Sequence, residues 1–418
     1  MRIRLLSYGS RGDVQPLAAL ALGLQAAGHT VRLAAPQRFA DFIQNLDLPY
    51  APLPGDPEEI SRRLNTAGTN PLRAMQALQG YIRSIMDELI AAALAACADA
   101  DCIVHSYLFT AGAHAYAFAR GIPDVSVQLF PMFVPTRAFP NPALSQLPPG
   151  WPSLLSHRLA AAGFRREFEQ ALRGWRNPDP KKYPLHLHWP FDPPEPRTPL
   201  IMAYSPSVLP RPADWTADYI HVPGYFFLPI EESYYPPADL LAFLRAGPPP
   251  VCISFGSMVS EHAAALQQMV LRALANCGQR AIWLTGWGAK PLPQAGVPVF
   301  HLPAAPHDWL LPRCAAVMHH GGAGTTGAGL RAGIPNIVIP HMGDQAFWAR
   351  RVATLGAGPE PLPLNKITVD RLSAAIRACE NAELRIRAKA IGAQLRAENG
   401  VSAAVEIIER HAANVNRR

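Results

Sequence analysis

Short apolar runs alternate with helical patterns from the first residues of the chain. Ile3 to Ser7 is an apolar run that ends in a glycine-rich turn, and apolar residues then recur at helical spacing from Leu17 to Leu24. Another apolar run follows, Thr30 to Ala35. Strand, turn, helix and strand in so short a stretch predict a βαβ unit and therefore a parallel sheet. Asp101 to His105 and Val125 to Leu129 have the apolar character of further buried strands.

The same alternation begins again in the second half of the chain. The predicted elements there are the helix Ala264 to Ala275 and the strands Val251 to Phe255, Ala281 to Thr285, Ala316 to His319 and Asn336 to Ile339. Two such series predict an α/β protein with two doubly wound, Rossmann-like parallel-sheet domains. A charged helical pattern from Leu384 to Arg410 predicts a closing helix that crosses back to the first domain.

Prolines separate the two series. The chain has 418 residues and 44 prolines, of which 25 lie between Pro131 and Pro250. Proline removes a backbone donor and fixes φ, so Pro190 to Pro212 and Pro223 to Pro250 are predicted to be ordered, stiff connecting chain rather than central strands. The predicted boundaries are residues 1–212 for the first domain, 213–238 for a linker, 239–395 for the second domain and 396–418 for the C-terminal helix.

Composition narrows the class of protein. Hydrophobic residues make up 49% of the chain, which excludes a disordered protein. The six cysteines show no CxxC spacing, so we expect buried, reduced thiols rather than disulfides or a zinc site. No apolar run is long enough to span a bilayer, and a charged turn follows the first residues too early for a signal peptide. These features predict a cytoplasmic protein.

The charge balance bears on partners. Lys and Arg total 38 against 31 Asp and Glu, a net charge of +7. Basic runs with interleaved aromatic residues are absent from the sequence, so nucleic acid is not an expected partner. The modest excess favours phosphate-bearing ligands or peripheral contact with the inner face of a membrane, although a generally basic proteome explains it equally well.

The segment His319 to Thr326 carries the strongest chemical signal. A predicted strand ends there, glycines permit close approach to the backbone, and a helix begins with its free N–H groups outward. Such a helix N-terminus binds phosphate, and tight packing is the alternative role for the glycines. The segment is neither a G-x-G-x-x-G nor a Walker A motif, which argues against NAD-binding and P-loop proteins. His319 and His320 point to opposite faces of a strand, so no metal site is predicted.

A second glycine turn, Gly9 to Pro16, occupies the corresponding position in the first domain. Turns at the carboxyl ends of parallel strands open into the crevice where ligands of this architecture bind. Asp13 in this turn can take a proton from a hydroxyl group. On these residues alone, a role for Asp13 as the N-cap of the next helix is better supported, with Pro16 in the first turn.

Two further segments offer polar groups after predicted strands. Asp344 and Gln345 supply acceptors and donors that suit neighbouring sugar hydroxyls. An N-cap for the predicted helix Phe347 to Leu355 is the alternative role. Ser257 closes the strand Val251 to Phe255 and can reach a phosphate, or it simply forms part of a turn.

Together these segments resemble the GT-B glycosyltransferases of family 1, and in particular the branch of sterol 3-beta-glucosyltransferases and glycopeptide-antibiotic glycosyltransferases. The motifs that carry the resemblance are Gly9 to Pro16, Pro306 to Cys314, His319 to Thr326 and Gly343 to Gln345, with further likeness at Gly224 to Phe226 and Ser254 to Met258. The resemblance implies a GT-B fold, whose acceptor-binding and nucleotide-sugar-binding domains face a cleft. It also implies inverting, metal-independent transfer of a hexose from a nucleotide-sugar to an acceptor hydroxyl, with no other cofactor.

The resemblance also implies roles for particular residues. His320 donates a hydrogen bond to the leaving phosphate, and Asp344 and Gln345 hold hexose hydroxyls. The remaining donor-binding positions are Ser257, Gly322, Ala323, Gly324 and Thr325 for the phosphates and Ala305 and His307 for the base. Many relatives carry a histidine as base in the first glycine turn, whereas this chain has Asp13 with Ser10 beside it. We expect Asp13 to deprotonate the acceptor, with His105 as a second candidate that is better explained as a buried structural histidine.

The acceptor is expected to be apolar and to carry a hydroxyl, as a sterol does. Aromatic and thioether side chains of the first domain can line its site: Phe109, Tyr116, Phe118, Phe130, Met132, Phe133 and Phe139. A polyketide, macrolide, carotenoid or glycolipid acceptor is the alternative. The resemblance implies UDP-glucose as the donor. Leu302 or Pro303 stands where plant-type relatives stack the base on a tryptophan, so a dTDP-sugar is kept as the alternative. A non-catalytic nucleotide-sugar or lipid binding protein is less consistent with the presence of Asp13 and His320.

Overall fold

The computed structural model describes residues 1–59, 63, 71–145, 147–174, 198–230, 234–255, 263–286 and 296–415. The chain forms two compact units. The N-terminal unit comprises Met1–Pro206, Pro210–Leu228 and Asn399–Arg418. The C-terminal unit comprises Ser207–Leu209 and Pro229–Glu398.

The N-terminal unit is built on a seven-stranded parallel sheet with the order β3-β2-β1-β4-β5-β6-β7. Its strands are β1 (Arg2–Leu6), β2 (Thr30–Pro36), β3 (Tyr50–Leu53), β4 (Cys102–Ser106), β5 (Asp124–Gln128), β6 (Leu200–Met202) and β7 (Ile220–His221). Its helices are α1 (Arg11–Ala26), α2 (Ala40–Gln44), α3 (Pro71–Ala96), α4 (Thr110–Arg120), α5 (Trp151–Gly174) and α13 (Gly400–Val415). The prediction of a doubly wound parallel sheet is confirmed.

Helices cover both faces of this sheet, which explains the near-continuous apolar character of its strands. Helices α1 and α13 share one apolar core with the sheet, and α3 and α4 share another. Helix α13 packs closely on α1, because a Cβ atom at Gly23 would lie 2.3 Å from Cγ1 of Val401. The last helix of the chain is therefore part of the N-terminal unit.

Two predictions about the connecting segments are wrong. The predicted single helix Leu384 to Arg410 is two helices, because Glu398 is extended with φ −75° and ψ 143°. The break lets Gly400 pack on backbone, where a Cβ atom would lie 2.6 Å from the Tyr225 carbonyl oxygen. The stretch Pro190 to Pro212 contains strand β6, which pairs with β5 and β7 inside the sheet. Three proline-free residues suffice for that strand, and residues 190–197 lie outside the described part of the chain.

The C-terminal unit has a five-stranded parallel sheet with the order β10-β9-β8-β11-β12. Its strands are β8 (Val251–Ser254), β9 (Ala281–Leu284), β10 (Val299–Leu302), β11 (Ala316–His319) and β12 (Asn336–Val338). Its helices are α6 (Ala238–Arg245), α7 (Ala263–Asn276), α8 (His307–Leu310), α9 (Ala323–Ala332), α10 (Gln345–Thr354), α11 (Val369–Ala378) and α12 (Ala382–Ala397). The order of the strands reverses between β8 and β11, which marks the crevice where open α/β sheets bind ligands.

The cysteines agree with the expectation of buried, reduced thiols. All six cysteines are free thiols, and all except Cys277 are buried. Across the described residues, no helix has the combination of length and apolar character that crossing a bilayer needs.

Candidate active site

The turn after β1 places Ser10 and Asp13 at the start of α1. Ser10 is the N-cap, and its hydroxyl accepts a hydrogen bond from the Gly12 N–H at 3.2 Å. The Asp13 Oδ2 atom accepts hydrogen bonds from the Ser10 N–H at 2.7 Å and from the Ser10 hydroxyl at 2.9 Å. Asp13 is thus the N3 residue of a capping box, not the N-cap. Pro16 lies inside the helix rather than in its first turn.

Gly9 makes room for this carboxylate. Its φ of +133° is a conformation that residues with a side chain rarely adopt. A Cβ atom at this position would lie 2.3 Å from Oδ2 of Asp13. The glycine of the turn is therefore required by the position of the Asp13 side chain as well as by the backbone.

Asp13 has the electrostatics of a general base. Burial raises the pKa of Asp13 to about 6, against the two hydrogen bonds from Ser10 that lower it. Both of those bonds go to Oδ2, so Oδ1 makes no hydrogen bond to the described residues. A carboxylate with a raised pKa and an uncommitted oxygen can accept a proton from an alcohol near neutral pH.

His105, the second candidate base, lies in a buried network instead. Its Nε2 atom is 2.9 Å from Oδ2 of Asp124, and both residues are buried. Nδ1 of His114 lies 3.1 Å from the same carboxylate, and the Thr198 hydroxyl donates to it at 3.2 Å. Burial alone would raise the pKa of Asp124, but the hydrogen bonds from the two histidines outweigh it and hold the pKa well below its usual range. This arrangement agrees with a structural role for His105.

The aromatic residues predicted to line the acceptor site separate into groups. Tyr116, Phe133 and Phe139 are buried in the interior of the N-terminal unit, whereas Phe118 is 47% exposed. Phe109, Phe130 and Met132 are half-buried. The buried three are part of the core, so only half-buried and exposed members of the set are accessible to a ligand.

In the C-terminal unit, the turn after β11 brings His320 to the start of α9. Gly322 is the N-cap and has no side chain to cap the helix, so the N–H groups of the first turn are left for a ligand. The imidazole of His320 lies over this glycine, because a Cβ atom at Gly322 would be 2.7 Å from Nε2. The side chain and the helix N-terminus therefore meet at one point.

Three buried polar atoms around this turn have no hydrogen-bond partner among the described residues. They are Nδ1 of His320, Nε2 of His341 and Oγ1 of Thr326. Burial lowers the pKa of His320 to about 4, against a hydrogen bond with the Ser254 backbone that raises it, and burial lowers the pKa of His341 to about 4. Each imidazole is therefore neutral at pH 7. A neutral imidazole keeps one N–H donor, and buried unpaired polar atoms of this kind are typical of a site that awaits a polar ligand.

His319 holds the turn in place from the opposite face. Its Nδ1 accepts the Gly321 N–H at 3.0 Å, so its Nε2 carries the proton and donates to Oδ1 of Asn336 at 3.1 Å. The side-chain amide of Asn336 donates in turn to the Ile334 carbonyl. Burial lowers the pKa of His319 to about 3, which keeps it neutral. The two adjacent histidines thus point apart, as predicted, and only His320 faces the helix N-terminus.

Asp344 and Gln345 lie at the start of α10, and both are partly committed to their own loop. Asp344 is the N-cap of α10, but its Oδ2 accepts the Trp348 indole N–H at 2.9 Å instead of capping the helix. Oε1 of Gln345 accepts the backbone N–H groups of His341 at 2.8 Å and of Met342 at 3.0 Å. The group left for a ligand is the side-chain NH₂ of Gln345.

The remaining predicted donor residues lie around the same edge of the sheet. Ala305 and His307 are half-buried between β10 and the start of α8, and His307 contributes to the lowered pKa of His319. Ala323, Gly324 and Thr325 form the first turn of α9. Ser257 lies outside the described residues.

The two units thus hold separate parts of the predicted site. The N-terminal unit brings Ser10 and Asp13 together, and the C-terminal unit brings His320 to the N-terminus of α9. Sequence reasoning missed His341, which nothing but its place before Asp344 distinguishes in the sequence. In the described ranges, no group of three or more His, Cys, Asp or Glu side chains is arranged to hold a metal ion.

Comparisons with known proteins agree with this architecture. Residues 3–115 match the model of the glycosyltransferase family 28 N-terminal domain, and residues 294–410 match that of the erythromycin biosynthesis protein CIII-like C-terminal domain. The structure of the glycotransferase of kitacinnamycin superposes with a TM-score of 0.69 at 19% identity, covering 98% of this chain and 99% of that one. CalG4, the calicheamicin glycosyltransferase, superposes with a TM-score of 0.68 at 17% identity, covering 99% of this chain and 98% of its own. These neighbours confirm the GT-B fold.

Relatives in sequence are more specific. A sterol 3-beta-glucosyltransferase of Arabidopsis thaliana is 32% identical over 422 residues, which cover 98% of this chain and 68% of the relative. A sterol 3-beta-glucosyltransferase of Aspergillus oryzae is 35% identical over 427 residues, which cover 98% of this chain but only 30% of that longer protein. The resemblance seen in the motifs is thereby confirmed along nearly the whole chain. The chain is a glycosyltransferase and belongs to the family of sterol 3-beta-glucosyltransferases.

Proposed function

We propose that this protein transfers glucose from UDP-glucose to the 3β-hydroxyl group of a sterol with inversion at the anomeric carbon. The acceptor and the sugar follow from the names of the relatives, which match over 98% of the chain. The observation that carries the donor half of the proposal is the imidazole of His320 lying over the uncapped N-terminus of α9. A half-buried, uncapped helix N-terminus with a neutral imidazole beside it suits a pyrophosphate.

The donor's diphosphate binds to the N–H groups of the first turn of α9, from Ala323 to Thr325. His320 donates to an oxygen of the leaving phosphate, where negative charge grows as the glycosidic bond breaks. Preorganised donors aimed at a developing charge are among the strongest contributions to catalysis. His341, whose buried Nε2 is also unpartnered, supplies a second imidazole at the same edge.

The hexose is held by Asp344 and Gln345. The Asp344 carboxylate accepts from a sugar hydroxyl, and the NH₂ group of Gln345 donates to one. The bonds that fix Oε1 of Gln345 and Oδ2 of Asp344 orient these groups before the donor arrives. Ala305 and His307 face the base, and Ser257 adds a contact to phosphate.

Asp13 acts as the general base. Its carboxylate takes the proton from the acceptor hydroxyl, and the acceptor oxygen forms a bond to the anomeric carbon of glucose. The bond between that carbon and the phosphate oxygen breaks, and UDP leaves with the electron pair. Ser10 is a positioning residue, because its N–H and hydroxyl fix Oδ2 while Oδ1 stays available.

The sterol acceptor suggests peripheral contact with a membrane, since sterols reside in bilayers.

The experiment that tests the proposed function is mass spectrometry of the products formed from UDP-glucose or dTDP-glucose with a panel of sterols, a macrolide and a lipid alcohol. We expect a sterol glucoside from UDP-glucose. Transfer only to the macrolide, or only from dTDP-glucose, would contradict the proposed substrates, and absence of any transfer or donor hydrolysis would contradict catalysis.

A further inference from the structure

Helix α5 exposes an apolar stripe. Trp151, Leu155 and Leu159 follow one another at a spacing of four residues, which places them on one face of the helix. Their exposed fractions are 71%, 43% and 59%. Single exposed apolar residues are ordinary, but three aligned along one helix with a tryptophan among them form a continuous surface.

The face of α5 that packs on the unit is polar. Ser153, Ser156 and His157 are buried. The Ser156 hydroxyl accepts the Asn141 N–H at 2.9 Å, and Nε2 of His157 lies 3.1 Å from the Phe139 carbonyl oxygen. The first two turns of the helix are therefore attached to the unit through hydrogen bonds, and Trp151, Leu155 and Leu159 stay outside that contact. Apolar side chains on the outer face of these turns indicate a second surface that covers them.

Two arginines share the exposed face. Arg158 is seven residues beyond Trp151, and Arg166 is seven beyond Leu159, so each lies two helical turns along the same side. Both are exposed. Guanidinium groups beside an apolar stripe suit a lipid surface, where the stems lie along the acyl boundary and the charges reach the phosphates.

We propose that the exposed face of α5, formed by Trp151, Leu155, Leu159, Arg158 and Arg166, binds the surface of an anionic lipid bilayer. The net charge of +7 acts in the same direction. Tryptophan suits the boundary between headgroups and acyl chains, which favours a bilayer over a protein partner. The proposed function enters only as the reason for this contact, because binding to a bilayer would bring the enzyme to the membrane that holds its sterol substrate.

The test is sedimentation of the full chain with phosphatidylcholine vesicles that contain or lack phosphatidylglycerol. We expect binding to the anionic vesicles that salt reverses. The double variant Trp151→Ser/Leu159→Ser is expected to lower the partition coefficient on the order of a hundredfold. Arg158→Gln/Arg166→Gln is expected to lower it about 25-fold, at roughly fivefold for each charge.

Matched controls change the same chemistry elsewhere. Tyr235→Ser/Ile386→Ser removes two side chains that are 88% and 66% exposed, and Arg245→Gln/Arg272→Gln removes the same charge from exposed sites on other helices. Both controls are expected to bind vesicles as the wild type does. Equal loss in a control and its counterpart would overturn the assignment to α5, and so would a wild-type chain that does not sediment.

Two further readouts separate the possible outcomes. A dimer seen by size-exclusion chromatography and lost in Trp151→Ser/Leu159→Ser would assign the face to a second copy and overturn the proposal. Glucosyl transfer to a sterol delivered in cyclodextrin tests the proposed function without a membrane. We expect the variants to keep that activity and to lose activity on sterol embedded in anionic vesicles, whereas failure of the cyclodextrin assay in the wild type contradicts the proposed function alone.

Discussion

Two strand-to-helix turns, one after β1 and one after β11, share a backbone plan and differ in how the helix N-terminus is closed. In the first, Ser10 and Asp13 form a capping box that satisfies N–H groups of α1 with side chains. In the second, Gly322 leaves the N-terminus of α9 without a side-chain cap, and His320 lies over it. The same local fold thus holds a carboxylate in one unit and is open to an anion in the other. In the proposed mechanism, a residue or two at the cap decides whether the turn supplies a base or binds phosphate.

The largest expected loss of activity follows substitution of Asp13. Asp13→Asn keeps an oxygen for the Ser10 hydrogen bonds but cannot take up a proton, so we expect kcat to fall by about 10²–10⁴-fold. Initial rates with UDP-glucose and a sterol check this. Ser10→Ala is the companion variant, with a smaller loss because the carboxylate remains. Near-normal turnover in a folded Asp13→Asn variant would rule out the base.

Loss of the imidazole is the next largest effect. His320→Leu removes the proposed donor to the leaving phosphate and is expected to lower kcat by about 10²–10³-fold. His320→Gln, which retains an N–H donor, is expected to recover part of that loss. If His320→Leu and His320→Gln were equally impaired, shape rather than hydrogen bonding would be the contribution of His320.

A smaller effect, on the affinity for UDP, is expected from adding a side chain at Gly322, the N-cap of α9. Gly322→Ala places a Cβ atom against Nε2 of His320 and displaces the ring, so we expect the Kd for UDP to rise by about tenfold, the equivalent of one hydrogen bond to a charged group. Gly163→Ala on α5 is the matched control, because a Cβ atom there has no neighbour within 4 Å and the residue lies outside the proposed donor site. Equal UDP affinity in the two variants would contradict the geometry.

Substitution of His341 tests the proposed binding of the donor phosphates in the C-terminal unit. His341→Phe keeps a ring beside Phe255, whose ring centroid lies 6.0 Å away, but removes the buried Nε2 atom. We expect the Kd for UDP to rise about tenfold, with little change for uridine. The same loss for UDP and uridine, measured by calorimetry, would place His341 away from the phosphates.

The smallest expected effects concern pH. The pKa of Asp13 is raised to about 6 in the folded state, so kcat/KM is expected to fall below that pH as the base becomes protonated. Because the pKa of Asp13 is higher in the folded than in the unfolded chain, protonated Asp13 favours the folded state. That stabilisation is complete below the unfolded-state pKa, near 3.8, and is lost as the pH rises through about 6. Relative to the wild type, the Tm of Asp13→Asn is therefore expected to be about 5–10 °C higher at alkaline pH than at acidic pH. Thermal unfolding across pH checks this, and a pH-independent difference would contradict the raised pKa.

Much of the fold was accessible from the sequence because buried parallel strands appear as continuous apolar runs. The two glycine turns were found in the same way, since a strand, a glycine turn and a helix leave a local signature. Strand β6 was missed, because a strand of three residues in a proline-rich stretch carries no such signature.

The chemistry of the site was less accessible. Asp13 was recognised but placed at the N-cap, because the choice between Ser10 and Asp13 depends on where the first helical turn begins. The loop bonds of Gln345 and the unpartnered nitrogen of His341 depend on burial by residues distant in sequence, which no local pattern records. For His105, by contrast, the sequence already favoured a buried structural role, and the structure shows the bond to Asp124 that agrees with it.

We propose that the two turns have separate roles: the turn after β11 binds the donor, and the turn after β1 removes the proton from the acceptor. Isothermal titration of UDP into the wild type, Asp13→Asn and His320→Leu tests it most directly. We expect an unchanged Kd for Asp13→Asn and a Kd raised at least tenfold for His320→Leu. Weakened UDP binding in Asp13→Asn, or undiminished binding in His320→Leu, would contradict the division.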